Sequence, residues 1–136
     1  LPRLQAPAAP KLEQRVVAAL LSGNKILVQR RPRGGRWSGL WELPNAPGGR
    51  SDAAGVLGEL CAALSLPPRT APLYTATVSH RLTHRLYRFH VYRICLAPGV
   101  RRRGGTSRRW IALGHLPELP LSTVQRRILH GLAATD

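Results

Sequence analysis

Apolar positions in this chain fall in short blocks separated by turn-forming residues. Arg15–Leu21 and Lys25–Arg31 read as two β-type runs, and Ser22-Gly23-Asn24 between them supplies a hairpin turn. A Gly/Arg-rich stretch, Pro32–Gly39, follows, then Leu40–Pro44 and a Pro/Gly loop to Arg50. Ser51 or Asp52 can cap a helix, in which Val56, Leu57, Leu60, Cys61 and Leu64 trace one apolar stripe to about Ser65; Pro67-Pro68 stop it. Two more strands are predicted over Leu73–Ser79 and Leu86–Leu96. In the second, Tyr87, Phe89 and Val91 alternate with Arg88, His90 and Tyr92, the two-residue period of a half-buried strand. Arg101–Arg109 reads as a basic loop, Arg109–Ile111 as a short strand and Ser122–Leu132 as a capped terminal helix. The order β-β-loop-α-β-β-β-α predicts an α/β fold, a mixed sheet with helices on its faces. The first twelve residues carry three prolines, three alanines and no hydrophobic period, so 1–12 is expected to be an extended tether ahead of a domain over 13–136.

Composition narrows the class. A length of 136 residues fits one domain, and 43% hydrophobic residues are enough for a core. The 21 basic residues exceed the 6 acidic ones by 15, a balance that favours polyanionic partners because cations near a phosphate backbone release condensed counterions. Two cysteines, Cys61 and Cys95, exclude a disulfide scaffold and a four-thiolate centre, and both read as apolar fillers. No apolar run approaches the roughly 18 residues needed to span a bilayer. With no Met and Leu1 in first place, the chain is expected to be a segment of a longer one.

The stretch from Lys25 to Pro44, KILVQRRPRGGRWSGLWELP, resembles the second strand of the Nudix fold and its lead into the Nudix helix. More narrowly, it resembles the C-terminal domain of MutY-type adenine DNA glycosylases, where an "LLxQRP…GLWxGLWEFP" pattern recurs. His80-Arg81-Leu82-Thr83-His84 falls where that family has "HTFSH", Arg109-Trp110 at its "RW", and Leu121-Ser122-Thr123 at its "L/VST". The resemblance implies a Nudix-like α/β/α sandwich.

The hydrolase signature G-x5-E-x7-R-E-U-x-E-E-x-G-U places several acids on one helix to hold a divalent cation against a diphosphate. Aligned on its end, Arg-Glu-Leu falls on Gly58, Glu59 and Leu60, the paired glutamates on Ala62 and Ala63, and the early Glu on Arg50. Only Glu59 remains, and 53–66 contains no other acid in any register. A single carboxylate cannot hold a hard cation that wants several oxygen ligands. Neither a metal site nor a catalytic residue is therefore expected, and binding rather than hydrolysis is the predicted role.

By resemblance, Leu82-Thr83-His84 is the probe for 8-oxoguanine opposite adenine in base excision repair. 8-Oxoguanine carries an N7–H donor and an O8 acceptor, and a hydroxyl, donor and acceptor at once, can meet that edge. Thr83 stands where the family has Ser. Leu82 stands where it has Phe, keeping an apolar wedge but losing aromatic stacking. Candidate DNA contacts are His80, Arg81 and Arg85 around the turn, Arg31, Arg33 and Arg36 (with neighbouring Arg30) at the Gly-rich turn, and Arg101, Arg102 and Arg103. His80 and His84 also read as ordinary turn histidines, Arg101–Arg103 as a solvated loop, and Trp37, Trp41 and Trp110 as packing residues. The resemblance further implies a partner glycosylase domain with an iron–sulfur cluster on the same chain and no cofactor in this segment. It also implies a monomer that meets duplex DNA with 8-oxoguanine:adenine mispairs, cytoplasmic and nucleoid-associated in a bacterium. The alternative is a Nudix pyrophosphohydrolase acting on oxidised nucleoside di- or triphosphates.

Overall fold

A computed structural model describes residues 9–100, 105–114 and 119–134. Seven strands, β1 (Lys11–Ser22), β2 (Lys25–Arg30), β3 (Trp41–Glu42), β4 (Asn45–Pro47), β5 (Leu73–Arg81), β6 (Arg85–Cys95) and β7 (Arg108–Ala112), form one sheet. Its order is β3-β2-β1-β6-β5, with β4 also paired to β1 and β7 to β2. Among the paired strands of the described residues, β1 and β6 run parallel, from Lys11 opposite Arg85 to Leu21 opposite Cys95, and the other pairs are antiparallel.

Val16 to Leu21 is a continuous apolar block because β1 is central and covered on both faces. Val16, Ala18 and Leu20 face α1 (Ala53–Leu64), whose Ala53, Leu57 and Cys61 pack against them. Val17, Ala19 and Leu21 face α2 (Thr123–Ala134), which contributes Val124, Ile128, Leu129 and Leu132. The result is the expected α/β/α sandwich. Each fully buried Leu here contributes about 1.5–3 kcal/mol, so Leu129, wholly buried, is a single position whose truncation would loosen one layer. No helix among the described residues is long and apolar enough to cross a membrane.

β1, β5 and β7 run longer than the sequence pattern indicates, whereas β2 stops one residue short, at Arg30. β1 starts at Lys11, so the last two residues of the predicted tether are strand, recruited by the parallel ladder with β6; residues 1–8 lie outside the described residues. The loop after Pro44 holds β4, whose Asn-Ala-Pro sequence lacks a strand signature and which is supported by pairing with β1. β5 extends through Arg81 and β6 begins at Arg85, so His80, Arg81 and Arg85 are strand residues and only Leu82-Thr83-His84 turns. Arg109–Ile111 is strand as predicted, and β7 extends it by one residue at each end, taking Arg108 from the predicted basic loop. Cys61 is buried, but Cys95 is exposed because β6 ends there.

Candidate functional site: a basic pocket beside a hairpin tip

The strand period builds a pocket on the α2-side face of the sheet. Glu13 pairs with Tyr87 and Arg15 with Phe89, so these four side chains share one face. Glu42 and Asn45 close a second wall, and Arg31, Arg36, Trp37 and Arg85 complete a cavity of about 340 Å³. The wall is pinned to α2. The Leu43 N–H donates to Gln125 Oε1 at 3.0 Å, and the Trp41 N–H to the Pro120 carbonyl at 2.9 Å. Gln125 is held in turn by the Ser122 hydroxyl, which accepts its N–H and caps α2 as the sequence predicts.

The Gly-rich turn forms the roof. Gly34, Gly35 and Gly39 have φ of 95°, 77° and 73°, conformations open to glycine, but Trp37 also sits at φ 57°. That backbone costs a non-glycine residue about 1–2 kcal/mol. Ring packing offsets it, with Trp37 at 5.0 Å from Tyr87, 6.2 Å from Phe89 and 6.1 Å from His80. The Arg36 guanidinium lies 5.9 Å over Tyr87.

Four guanidiniums and two carboxylates line the cavity, so it is net cationic. Glu42, 8% exposed, accepts from Arg31 at 3.1 Å, and Glu13 stands 4.0 Å from Arg85. Arg15 donates to Asn45 Oδ1 at 2.8 Å. Burial pushes its proton affinity down, and Glu42 and Glu13 oppose that shift. The buried Nε–H of Arg31 has no acceptor among the described residues, leaving one donor of the pocket unspent.

Beside the pocket, β5 and β6 meet in the three-residue turn Leu82-Thr83-His84. The Leu82 N–H donates to the Arg85 carbonyl at 2.8 Å and the Arg85 N–H returns to Leu82 at 3.4 Å. Thr83 and His84 are exposed at the tip, and the His84 carbonyl accepts from Lys11 N–H, tying the tip to the start of β1. Leu82 packs partly into the α2-side core. No hydrogen-bond partner engages the Thr83 hydroxyl among the described residues.

The structure thus gathers Arg31, Arg36, Arg85, His80, Leu82, Thr83 and His84 into one region. It does not gather the rest. Arg81 pairs with Leu86 and so lies on the opposite sheet face from His80. Arg33 is exposed on the Gly-rich turn, Arg30 donates to the Gly39 carbonyl, and Arg101–Arg103 lie outside the described residues. Sequence reasoning missed Glu13, Arg15, Glu42 and Asn45. The signal for Arg15 and Glu42 was a polar residue in or beside an apolar run, Glu42 being flanked by Trp41 and Leu43, whereas Glu13 and Asn45 lay outside the predicted strands.

On α1, Gly58, Glu59, Ala62 and Ala63 are all exposed. Among the described residues no three His, Cys, Asp or Glu side chains lie close enough together to hold a metal ion.

A family model described as a NUDIX domain matches residues 16–131. No curated relative is matched by sequence. Among solved structures, the chain is similar to the C-terminal domain of mouse MUTYH, solved in complex with human PCNA, with TM-score 0.70 and 16% identity over 90% of this chain and 88% of that one. It is similar to the Escherichia coli ORF135 protein (TM-score 0.66, 17% identity, 92% and 91% covered). It is also similar to a MutT Nudix hydrolase from Burkholderia pseudomallei (TM-score 0.63, 19% identity, 90% and 98% covered). Likenesses at this identity carry the fold.

Proposed function

We propose that this chain, which belongs to the Nudix domain family, is a non-catalytic recognition domain of a MutY-type adenine DNA glycosylase that reads 8-oxoguanine opposite adenine. One observation carries the reading: the helix that bears the hydrolase carboxylates offers Gly58, Ala62 and Ala63 to solvent, while a cationic pocket and a hydroxyl-bearing hairpin tip stand ready to bind. Binding chemistry is present, and the helix positions that carry the hydrolase glutamates hold Ala62 and Ala63.

On this reading the tip meets the lesion. Thr83 presents a free hydroxyl to the N7–H and O8 that distinguish 8-oxoguanine from guanine, and Leu82 supplies an apolar wedge whose inner side is anchored in the core. Guanidiniums along the pocket and turn hold the phosphates and set the register without reading sequence. The likeness to the C-terminal domain of mouse MUTYH supports this assignment. Base excision then belongs to a glycosylase domain with an iron–sulfur cluster on the same chain, joined through the Pro-rich segment around 1–10.

The MutT-type neighbours favour a second reading, a pyrophosphohydrolase of oxidised nucleotides. Incubation with Mg²⁺ and a panel of nucleoside di- and triphosphates, 8-oxo-dGTP included, separates the two. The recognition reading predicts no metal-dependent phosphate release. Turnover that disappears in Glu59→Gln would overturn it and establish the hydrolase.

A further inference from the structure

The sheet has a second face that the pocket does not use. Along β6 the even-numbered residues point away from Tyr87 and Phe89, and the cross-strand register sets out what they meet. Tyr74 lies opposite Tyr92, Thr77 opposite His90, Ser79 opposite Arg88 and Arg81 opposite Leu86. On the other side, Gln14 of β1 lies opposite Arg88 and Leu12 opposite Leu86. α1 covers this face only where Val16, Ala18, Leu20, Tyr92 and Ile94 pack against it. Toward the hairpin the face is open, with Thr77, Ser79, Arg81 and Arg88 exposed and Leu12 44% exposed.

The charges on this open surface all have one sign. Arg88 and Arg81 are diagonal cross-strand neighbours, a relation that places Cα atoms about 7–8 Å apart. Arg50 joins them at the α1 end, its guanidinium stacked 3.7 Å over the Tyr74 ring. Among the described residues, two facts of the fold leave these cations without an acidic partner. Glu13 and Glu42 face the pocket on the other side of the sheet, beside Arg85 and Arg31. Asp52 accepts the Gly49 N–H at the start of α1, and Glu59 is further along that helix. Neither the Arg81 nor the Arg88 side chain has a hydrogen-bond or ion-pair partner among the described residues. Between the cations stand neutral hydrogen-bonding groups. Thr77 Oγ1 contacts His90 Nδ1 at 2.8 Å and the Tyr74 hydroxyl at 2.7 Å, and Gln14 Oε1 contacts His90 Nε2 at 2.8 Å. Burial, with Arg50 and Arg88 as the cations bearing on it, holds the His90 imidazole below its usual range and so favours its neutral form.

Clustered like charges cost stability when nothing neutralises them, and the geometry points to what does. We propose that Arg81, Arg88 and Arg50 form a second anion-binding face, on the side of the sheet opposite the pocket, whose occupant is the sugar–phosphate backbone of nucleic acid. The hydroxyl- and amide-bearing strand surface between the cations suits the repeating phosphate esters of a nucleic-acid backbone. The β5–β6 hairpin is then cationic on both sides, with Arg85 on the pocket side and Arg81 and Arg88 on the other. A duplex engaged by the tip is gripped from two directions. The inference rests on the nucleic-acid reading but not on the lesion.

The test is the salt dependence of binding to an undamaged 20-base-pair duplex, measured by anisotropy on the whole chain. Each phosphate contact contributes about −0.9 to the log–log slope. Arg81→Gln/Arg88→Gln is expected to lower its steepness by about 1.8, with thermal melting unchanged or raised. The control is Arg69→Gln/Arg109→Gln, which removes the same charge from exposed positions away from the hairpin and is expected to change the slope by less than half as much. Equal effects of the two doubles, or an unchanged slope in folded Arg81→Gln/Arg88→Gln, would overturn the proposal while leaving the pocket reading intact. Absence of duplex binding by the unaltered chain would overturn both.

Discussion

Replacing Glu42 by Gln should move stability and polyanion affinity in opposite directions. The carboxylate is 8% exposed and accepts from Arg31 at 3.1 Å, with Arg15 close enough for its field to be felt. Gln keeps the shape and one acceptor but removes the charge that offsets these cations. A hydrogen bond to a charged group is worth about 1.5–3 kcal/mol. The Arg31 side chain is 28% exposed, so solvent screening reduces that figure, and a loss of about 1–2 kcal/mol is expected. The pocket meanwhile goes from four cations against two anions to four against one. At about 8 Å and an effective dielectric near 20, one unit charge is worth about 2 kcal/mol before salt screening. Duplex affinity at 0.1 M salt should therefore rise roughly three- to tenfold. Urea denaturation gives the first quantity and duplex anisotropy the second. If affinity falls while stability holds, Glu42 is itself a ligand contact rather than a charge buffer, and the reasoning fails. If neither changes, phosphate does not enter the pocket.

Two further outcomes follow from backbone and proton chemistry. Ser65, the C-cap of α1, sits at φ 55°; Ser65→Gly should relieve that strain and raise stability by about 0.5–1 kcal/mol in urea denaturation, and a loss would mean that the serine side chain contributes something the backbone geometry does not show. His90 is pushed below its ordinary value by burial and by Arg50 and Arg88, with Gln14 and Thr77 as its hydrogen-bond partners. The unfolded chain therefore binds this proton more readily than the folded one, so stability is full above about pH 6.5 and falls as pH drops from there toward the folded-state value. His90→Asn should flatten the urea midpoint between pH 7.5 and 5.5, and an unchanged profile would assign the acid sensitivity to another group.

The parts of the fold visible in the sequence were those carried by local pattern. The Val56–Leu64 stripe gave α1 nearly to the residue, and the alternation at Tyr87–Tyr92 gave both the strand β6 and which side chains share a face. What local pattern could not supply was pairing. Lys11 and Leu12 are strand only because β6 runs parallel beside them, and β4 is strand only because β1 is its neighbour. The same limit governed the site. Arg31, Arg36 and Arg85 stood out by type, but Glu13 and Arg15 enter the pocket through a register with β6 that joins positions over seventy residues apart, and Asn45 enters through the pairing of β4 with β1. Arg81 shows the converse. One step along a strand from His80, it faces the other side of the sheet, a distinction that motif spacing within a presumed turn cannot make.

The most direct measurement is competition between 8-oxoguanine:adenine and guanine:adenine duplexes for the unaltered chain and for Thr83→Val, which keeps side-chain volume and removes the hydroxyl. The account predicts a preference for the lesion that Thr83→Val reduces about five- to a hundredfold, the worth of one base-edge contact of ~1–3 kcal/mol, with binding to the undamaged duplex unchanged. An identical ratio in a fully folded Thr83→Val protein would contradict it. The hairpin tip would then be a structural corner, and lesion recognition would not reside in this turn.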